Sequence, residues 1–334
     1  MIKFYFPRWF FPDNLGDSIV STFIPKLLYY HYKEDIEVIT YGQEFINCVK
    51  EIPGVSNIRE PEPSEIKTIP EWISLSENKD NFCVYPNWHS NTWSMWSSHF
   101  QDFYEHPTAN IITLSYLLQL GLEDYMFNDY NLLPHIPTHN KKPKLSTKLN
   151  IAIVPEDKLG GRPAPHPTCD GIGYRFNGPK GHDSWTILVN FLKEHLDCTI
   201  YEFSPHGKKF GDICIPHIKS WIDLATYCKG FDLAVLSDGG LHHVFNSQQT
   251  PVYLLGAQKF NKPYFMKLQN GGFNEHTHRQ CLQDCKQHII NSYNYSSKQC
   301  SMSCERVNPL EVGQDILNLV KNDYLVLEIM EENT

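Results

Sequence analysis

The stretch GFDLAVLSDGGLHHVFNSQQTPVYLLGA, residues 230–257, decides the fold of this chain. An apolar run leads into the turn Asp238-Gly239-Gly240, and a helical pattern and a second apolar run follow. Apolar strands that alternate with helices are typical of parallel sheets in α/β proteins. Two glycines at a strand-to-helix turn leave the backbone amides accessible, and the helix N-terminus adds a partial positive charge. The turn therefore predicts a phosphate site, although a plain aspartate-capped turn has the same pattern.

The same alternation of strand-like and helical patterns extends along the rest of the chain. It predicts two α/β domains with largely parallel sheets. A polar, proline-containing stretch at 137–148 predicts the linker between them. The predicted segments are an N-terminal domain at 1–140, a C-terminal domain at 149–308 with a Cys-rich insert at 281–304, and a C-terminal helix and tail at 309–334.

The composition is that of a globular protein, with 41% hydrophobic and 20% charged residues among 334. No apolar run approaches the ~20 residues that span a bilayer, and the apolar N-terminus has no cleavage site, so we expect a cytoplasmic protein without a membrane span. The net charge of −9 argues against broad nucleic-acid binding. Residues 1–140 carry eight Lys and Arg against 18 Asp and Glu, whereas residues 141–334 carry 21 against 20. This imbalance favours the second half as the site of a phosphorylated ligand.

A second strand-to-helix junction lies near the N-terminus, where NLGDSIVSTFIPKLLYY (14–30) follows the apolar run IKFYF (2–6). Gly16 allows a tight turn, and Asp17 either caps the helix that follows or presents a carboxylate at the end of the sheet. There is no G-x-G-x-x-G after the first strand and no P-loop, which argues against ordinary dinucleotide binding and P-loop chemistry.

The two junctions together resemble glycosyltransferase family 9, the heptosyltransferases. Asp238, Gly240 and His243 lie on the positions of that family's strand–turn–helix motif. The stretch GPKGHDSWTILVNFL, which contains Lys180, is similar to the family's entry into a helix of the second domain. Gly239 stands where the family often has serine.

The resemblance implies the GT-B architecture, an α/β fold of two Rossmann-like domains that face each other across a cleft. It also implies inverting sugar transfer from a nucleotide-sugar donor to an acceptor hydroxyl on a glycan, protein or other molecule, without a catalytic cofactor. Asp17 would be the general base. The alternatives are a non-catalytic nucleotide- or sugar-binding relative with a metal knuckle, and a different GT-B enzyme such as an epimerase. The residues expected to bind the donor are Lys180, Asp238, Gly239, Gly240 and His243.

The cysteines predict a structural metal site. Ten cysteines without a secretory signal argue against a disulfide framework. Cys281, Cys285, Cys300 and Cys304 form two C-x3-C pairs, a donor set that suits zinc or iron. Some heptosyltransferase-like proteins carry a cysteine cluster at this place. Free thiols and two disulfides remain the alternatives.

Overall fold

The structure is a computed structural model of the whole chain. It describes residues 1–6, 15–65, 81–83, 116–117, 119–126, 133–140, 143, 145–155, 183–204, 207, 209–237, 240–255, 276–278 and 309–331.

The N-terminal part of the chain forms a parallel four-stranded sheet in the order β3-β2-β1-β4. Three helices belong to this part, and the second continues from the first through a 3₁₀ turn. The strands are β1 (Ile2–Phe6), β2 (Ile36–Thr40), β3 (Val55–Arg59) and β4 (Asn81–Cys83). The helices are α1 (Leu15–Val20), α2 (Ile24–Tyr32) and α3 (Gln43–Val49).

The C-terminal part forms a parallel six-stranded sheet in the order β10-β9-β8-β5-β6-β7. The strands are β5 (Leu149–Val154), β6 (Cys198–Phe203), β7 (Ile213–Ile215), β8 (Leu233–Ser237), β9 (Val252–Leu255) and β10 (His276–His278). The helices are α4 (Asp183–His195), α5 (Trp221–Cys228), α6 (Gly240–Ser247) and α7 (Pro309–Glu331). None of the described helices is both long and apolar enough to cross a bilayer.

Both sheets have the strand order of the Rossmann fold. In each sheet, the first strand lies between the second strand and the fourth. The direction in which successive strands are added therefore reverses between β1 and β4, and again between β5 and β8. Ligands of such sheets bind beyond the carboxyl ends of the strands, at this point of reversal. The prediction of two Rossmann-like α/β domains is confirmed.

Strand β5 shows why the second sheet is buried on both faces. Ile151 and Ile153 are fully buried in a core that the sheet forms with α4 and α7. Ala152 and Val154 alternate with them and belong to a second core on the opposite face. Because alternate residues of a strand point to opposite faces, an apolar run is what a doubly covered parallel sheet requires.

The second core is shared by the two domains. It joins residues of β1 and α1 with residues of β8, α5 and α6 in one cluster. Helix α1 packs against α6, and helix α3 packs against α5. The domains therefore meet through buried apolar surface, and removing that surface from water stabilises their arrangement.

The first helix differs from the expectation for its junction. The structure places Gly16 and Asp17 inside α1, which begins at Leu15. Asp17 is therefore in the first helical turn and is not the N-cap residue, and Gly16 does not form the turn. Helix α7 packs against α4, so the predicted C-terminal helix contributes to the second domain's core. The predicted domain limits themselves remain predictions.

Candidate functional site

The candidate site lies where helices α1 and α6 meet. Asp17 is on α1, the first helix after β1, and Gly240 is the first residue of α6, three positions after the end of β8. The two helices belong to different domains and pack against each other. The predicted base and the predicted phosphate site are therefore on neighbouring helices.

The start of α6 has two features that favour anion binding. Helix α6 follows β8 at the point where the second sheet reverses direction, and Gly240 occupies its first position. The first amides of a helix have no partner within the helix, and the helix dipole concentrates positive charge there. A phosphate placed beyond β8 would meet these amides.

His243 is on the same helix and is 4% exposed. His242 beside it is fully buried, and its Nε2 is 2.7 Å from Nδ2 of Asn246 one turn later. Since the amide nitrogen donates, Nε2 of His242 accepts, and the ring proton is assigned to Nδ1. The rings of His242 and His243 are 4.9 Å apart. Sequence reasoning singled out His243 and missed the buried polar pair beside it.

A network of charged side chains lies near the carboxyl ends of β1 and β3, and sequence reasoning missed it. Arg59 donates to both carboxylate oxygens of Glu65, at 2.6 and 2.8 Å, and to Oε1 of Glu37 at 3.1 Å. Asn57 also donates to Glu37. The hydroxyl of Tyr5 donates to Glu65 at 3.5 Å. No sequence motif marks this network, because its members come from three strands and a 3₁₀ turn.

The hydrogen bonds and burial in this network fix the ionisation states of its side chains. Hydrogen bonds from Arg59 lower the pKa of Glu65 to about 2, and its bonds to Glu65 and Glu37 raise the pKa of Arg59 itself. Burial, assisted by the Glu65 charge, raises the pKa of Tyr5. Glu65 therefore stays ionised and Tyr5 stays protonated near neutral pH. These groups fasten the turn Pro63–Glu65 to the sheet and are poorly suited to move protons.

The structure describes only part of the predicted site. For Asp17 it gives the backbone position, and for Gly240 and His243 it gives the positions discussed above. Lys180, Asp238, Gly239 and the four cysteines Cys281, Cys285, Cys300 and Cys304 lie outside the described residues. Within the described ranges, no group of three or more His, Cys, Asp or Glu side chains is arranged to hold a metal ion. The metal site therefore remains a prediction.

Comparison with solved structures shows a shared fold. The dodecameric iron-containing heptosyltransferase TibC in complex with ADP-D-beta-D-heptose matches with a TM-score of 0.59 and 13% identity, over 96% of this chain and 76% of that one. TibC from enterotoxigenic E. coli H10407 matches with 12% identity, the same TM-score and the same coverage. A family 9 glycosyl transferase from Veillonella parvula matches with a TM-score of 0.48 and 15% identity, over 95% and 97% of the two chains.

Sequence comparison adds no relative. No protein-family model matches the chain, and neither does any curated protein. The structural match to TibC confirms the predicted resemblance at the level of fold, and the chain has the GT-B architecture.

Proposed function

We propose that this protein is a glycosyltransferase that moves a sugar from a nucleotide-sugar to an acceptor hydroxyl, with inversion at the anomeric carbon. The observation that carries the proposal is the packing of α1, with Asp17, against α6, with Gly240. Sugar transfer needs a base for the acceptor and positive charge for the departing diphosphate within one site. Neighbouring helices from the two domains can supply both.

Asp17 would act as the general base. An attacking hydroxyl must lose its proton as it bonds to the anomeric carbon, and a carboxylate within hydrogen-bond reach accepts that proton. As that bond forms, the bond from the anomeric carbon to the donor's diphosphate oxygen breaks on the opposite face. The nucleoside diphosphate leaves with the bonding electrons, and the acceptor's proton stays on Asp17.

The donor diphosphate would bind at the phosphate site, residues 238–243. The amides at the start of α6 would donate hydrogen bonds to its oxygens, and Lys180, three residues before α4 begins, would supply a cation. Glycines at 239 and 240 suit this role because they let the backbone approach a phosphate closely. The TibC structure contains ADP-D-beta-D-heptose, so an ADP-sugar is the first donor to test.

We further propose that Cys281, Cys285, Cys300 and Cys304 bind a structural metal. Two pairs of thiolates are a chemically suitable donor set for zinc or iron. The description of TibC as iron-containing supports iron as one candidate. Strand β10, which pairs with β9 at the edge of the second sheet, ends three residues before Cys281 in the chain. The metal would stabilise the insert and take no part in transfer.

A cytoplasmic location is part of the proposal. The cysteines whose bonding the structure describes are free thiols: Cys48, Cys198, Cys214 and Cys228. Free, buried cysteines are usual in reducing compartments. Burial also raises the pKa of Cys48 to about 12, so this thiol is unreactive.

The test combines binding with turnover. The purified protein is heated with ADP-heptose, UDP-glucose, GDP-mannose or TDP-glucose, because a ligand that binds only the native state raises the melting temperature. Release of nucleoside diphosphate is then measured for the same donors in water and with glycan or peptide acceptors. Stabilisation with diphosphate release supports a transferase. Stabilisation without release would indicate a binding protein, and conversion of the donor into an isomeric nucleotide-sugar would indicate an epimerase.

A further inference from the structure

One hydrogen bond crosses directly from the first domain to the start of a helix in the second. Oε2 of Glu44, in the first turn of α3, accepts from the backbone nitrogen of Trp221 at 2.8 Å. Trp221 is the first residue of α5, and Ser220 caps the same helix by accepting from the nitrogen of Asp223. Two side chains from different domains therefore share the capping of α5.

This bond is of a strong kind. The acceptor is a carboxylate, the donor lies at the positive end of a helix dipole, and the contact is partly buried. Solvent screens the electrostatic attraction of an exposed ion pair. It screens the attraction of a partly buried charge-assisted hydrogen bond, such as this one, less strongly. Its partners are 177 residues apart, so it joins otherwise distant parts of the chain.

The surroundings of Glu44 connect this bond to the candidate site. Its neighbour Phe45 is fully buried and stacks on Phe6, the last residue of β1, with ring centroids 4.4 Å apart. The chain after β1 leads to α1 and Asp17. On the other side of the bond, α5 packs against α6, which begins with Gly240. The bond thus joins α3, which lies next to the end of β1, to α5, which packs against the helix that carries the proposed phosphate site.

The connecting segment, residues 133–140, supports the same arrangement. The backbone nitrogen of His135 donates to Oγ1 of Thr22, in the 3₁₀ turn between α1 and α2, at 2.8 Å. Nε2 of Gln248, directly after α6, donates to the carbonyl of Ile136 at 3.0 Å. A third bond joins the segment to α5. The segment is therefore bonded to elements of both domains.

We propose that Glu44 is a positioning residue for the transfer reaction. By holding α5 against α3, it fixes α6 relative to α1 and keeps the donor and the base at a set separation. This role rests on the proposed function, because it is defined by the separation of Asp17 from the phosphate site.

The test compares Glu44→Ala, Glu44→Gln and the control Glu60→Gln. Glu60 is exposed, and the structure shows no bond to its side chain within the described residues. Hydrogen exchange of a peptide covering 219–228 reports the contact without any substrate. We expect exchange at the start of α5 to be about tenfold faster in Glu44→Ala, less affected in Glu44→Gln, and unchanged in the control, since Gln keeps an acceptor but loses the charge.

Turnover then separates positioning from simple stability. With the donor panel above as probes, kcat for diphosphate release should fall about tenfold in Glu44→Ala and about threefold in Glu44→Gln. The KM of the donor should stay within twofold of wild type, because the phosphate site lies within the second domain. Unchanged exchange, or faster exchange with unchanged kcat, would overturn the role of Glu44. Failure of the proposed function is distinguishable, since the wild-type protein itself would then release no diphosphate from any probe.

Discussion

Replacing Gly54 by alanine tests how α2, which continues from α1, is held against the first sheet. Gly54 has a φ of +88°, and its carbonyl accepts from the nitrogen of Ile36 at 2.7 Å, at the start of β2. A Cβ at this position would overlap the ring of Tyr29 on α2. Two features therefore require glycine at this position: the backbone conformation and the close approach of the Tyr29 ring.

The expected loss of stability is the sum of these two effects. A left-handed conformation costs an L-residue about 1–2 kcal/mol, and forcing extra volume into a packed contact costs about 1–3 kcal/mol. We therefore expect Gly54→Ala to lower the free energy of unfolding by about 3 kcal/mol. Gly121 is the matched control, because its φ is +66° and no atom of the described residues lies within 4 Å of where its Cβ would be. Gly121→Ala should cost only the conformational part, about 1–2 kcal/mol.

Urea unfolding of the three proteins, followed by circular dichroism, measures both losses. The entropy that alanine removes from the unfolded chain is the same in both variants and cancels in their comparison. Gly54→Ala should unfold at a clearly lower urea concentration than Gly121→Ala. Equal losses in the two variants would refute the packing of Tyr29 over Gly54.

Four further results are expected. Asp17→Asn should lower kcat for transfer by about 10²–10⁴ and leave donor affinity unchanged, since the base acts on the acceptor; substantial turnover in the folded variant would contradict this. Gly240→Val should weaken nucleotide binding in a titration by about tenfold or more by blocking the amides at the start of α6, and wild-type affinity would move the phosphate site elsewhere. Protein purified under reducing conditions should contain about one equivalent of zinc or iron by elemental analysis, and a folded protein with far less would exclude the Cys site. The pKa of Glu65, about 2 in the folded protein against an ordinary value near 4.5, makes its contribution to stability complete above about pH 4.5 and lost as the pH falls toward 2. The stability difference between wild type and Glu65→Gln should shrink over that range, and a difference independent of pH would show that the carboxylate is not held by Arg59.

Several elements could be predicted from local sequence because their own residues carry the signal. The apolar run CTIYEF (198–203) predicts a strand, and β6 spans Cys198–Phe203. The helical spacing of SWTILVNFLKEHL (184–196) predicts a helix, and α4 spans Asp183–His195. The helical pattern at 107–122 predicts an end near Gly121, and this glycine has a positive φ after the last helical residues. The strands β3, β7 and β10 were missed. All three are edge strands: β3 lies at one edge of the first sheet, and β7 and β10 lie at the two edges of the second. An edge strand has a neighbouring strand on one side only, so it needs fewer apolar residues than a central strand.

The sequence by itself determined the fold class, two α/β domains, and located the two strand-to-helix junctions at which we propose that ligands bind. It did so because strand and helix periodicity and glycine-containing turns are local properties. Only the tertiary structure decided that α1 packs against α6, that Asp17 lies within a helix, and that Glu44 bonds to Trp221. The first and the last of these are contacts between residues far apart in the chain, and both depend on how the two domains share one buried core. No local pattern encodes such a contact, because it is set by the packing of whole elements against each other.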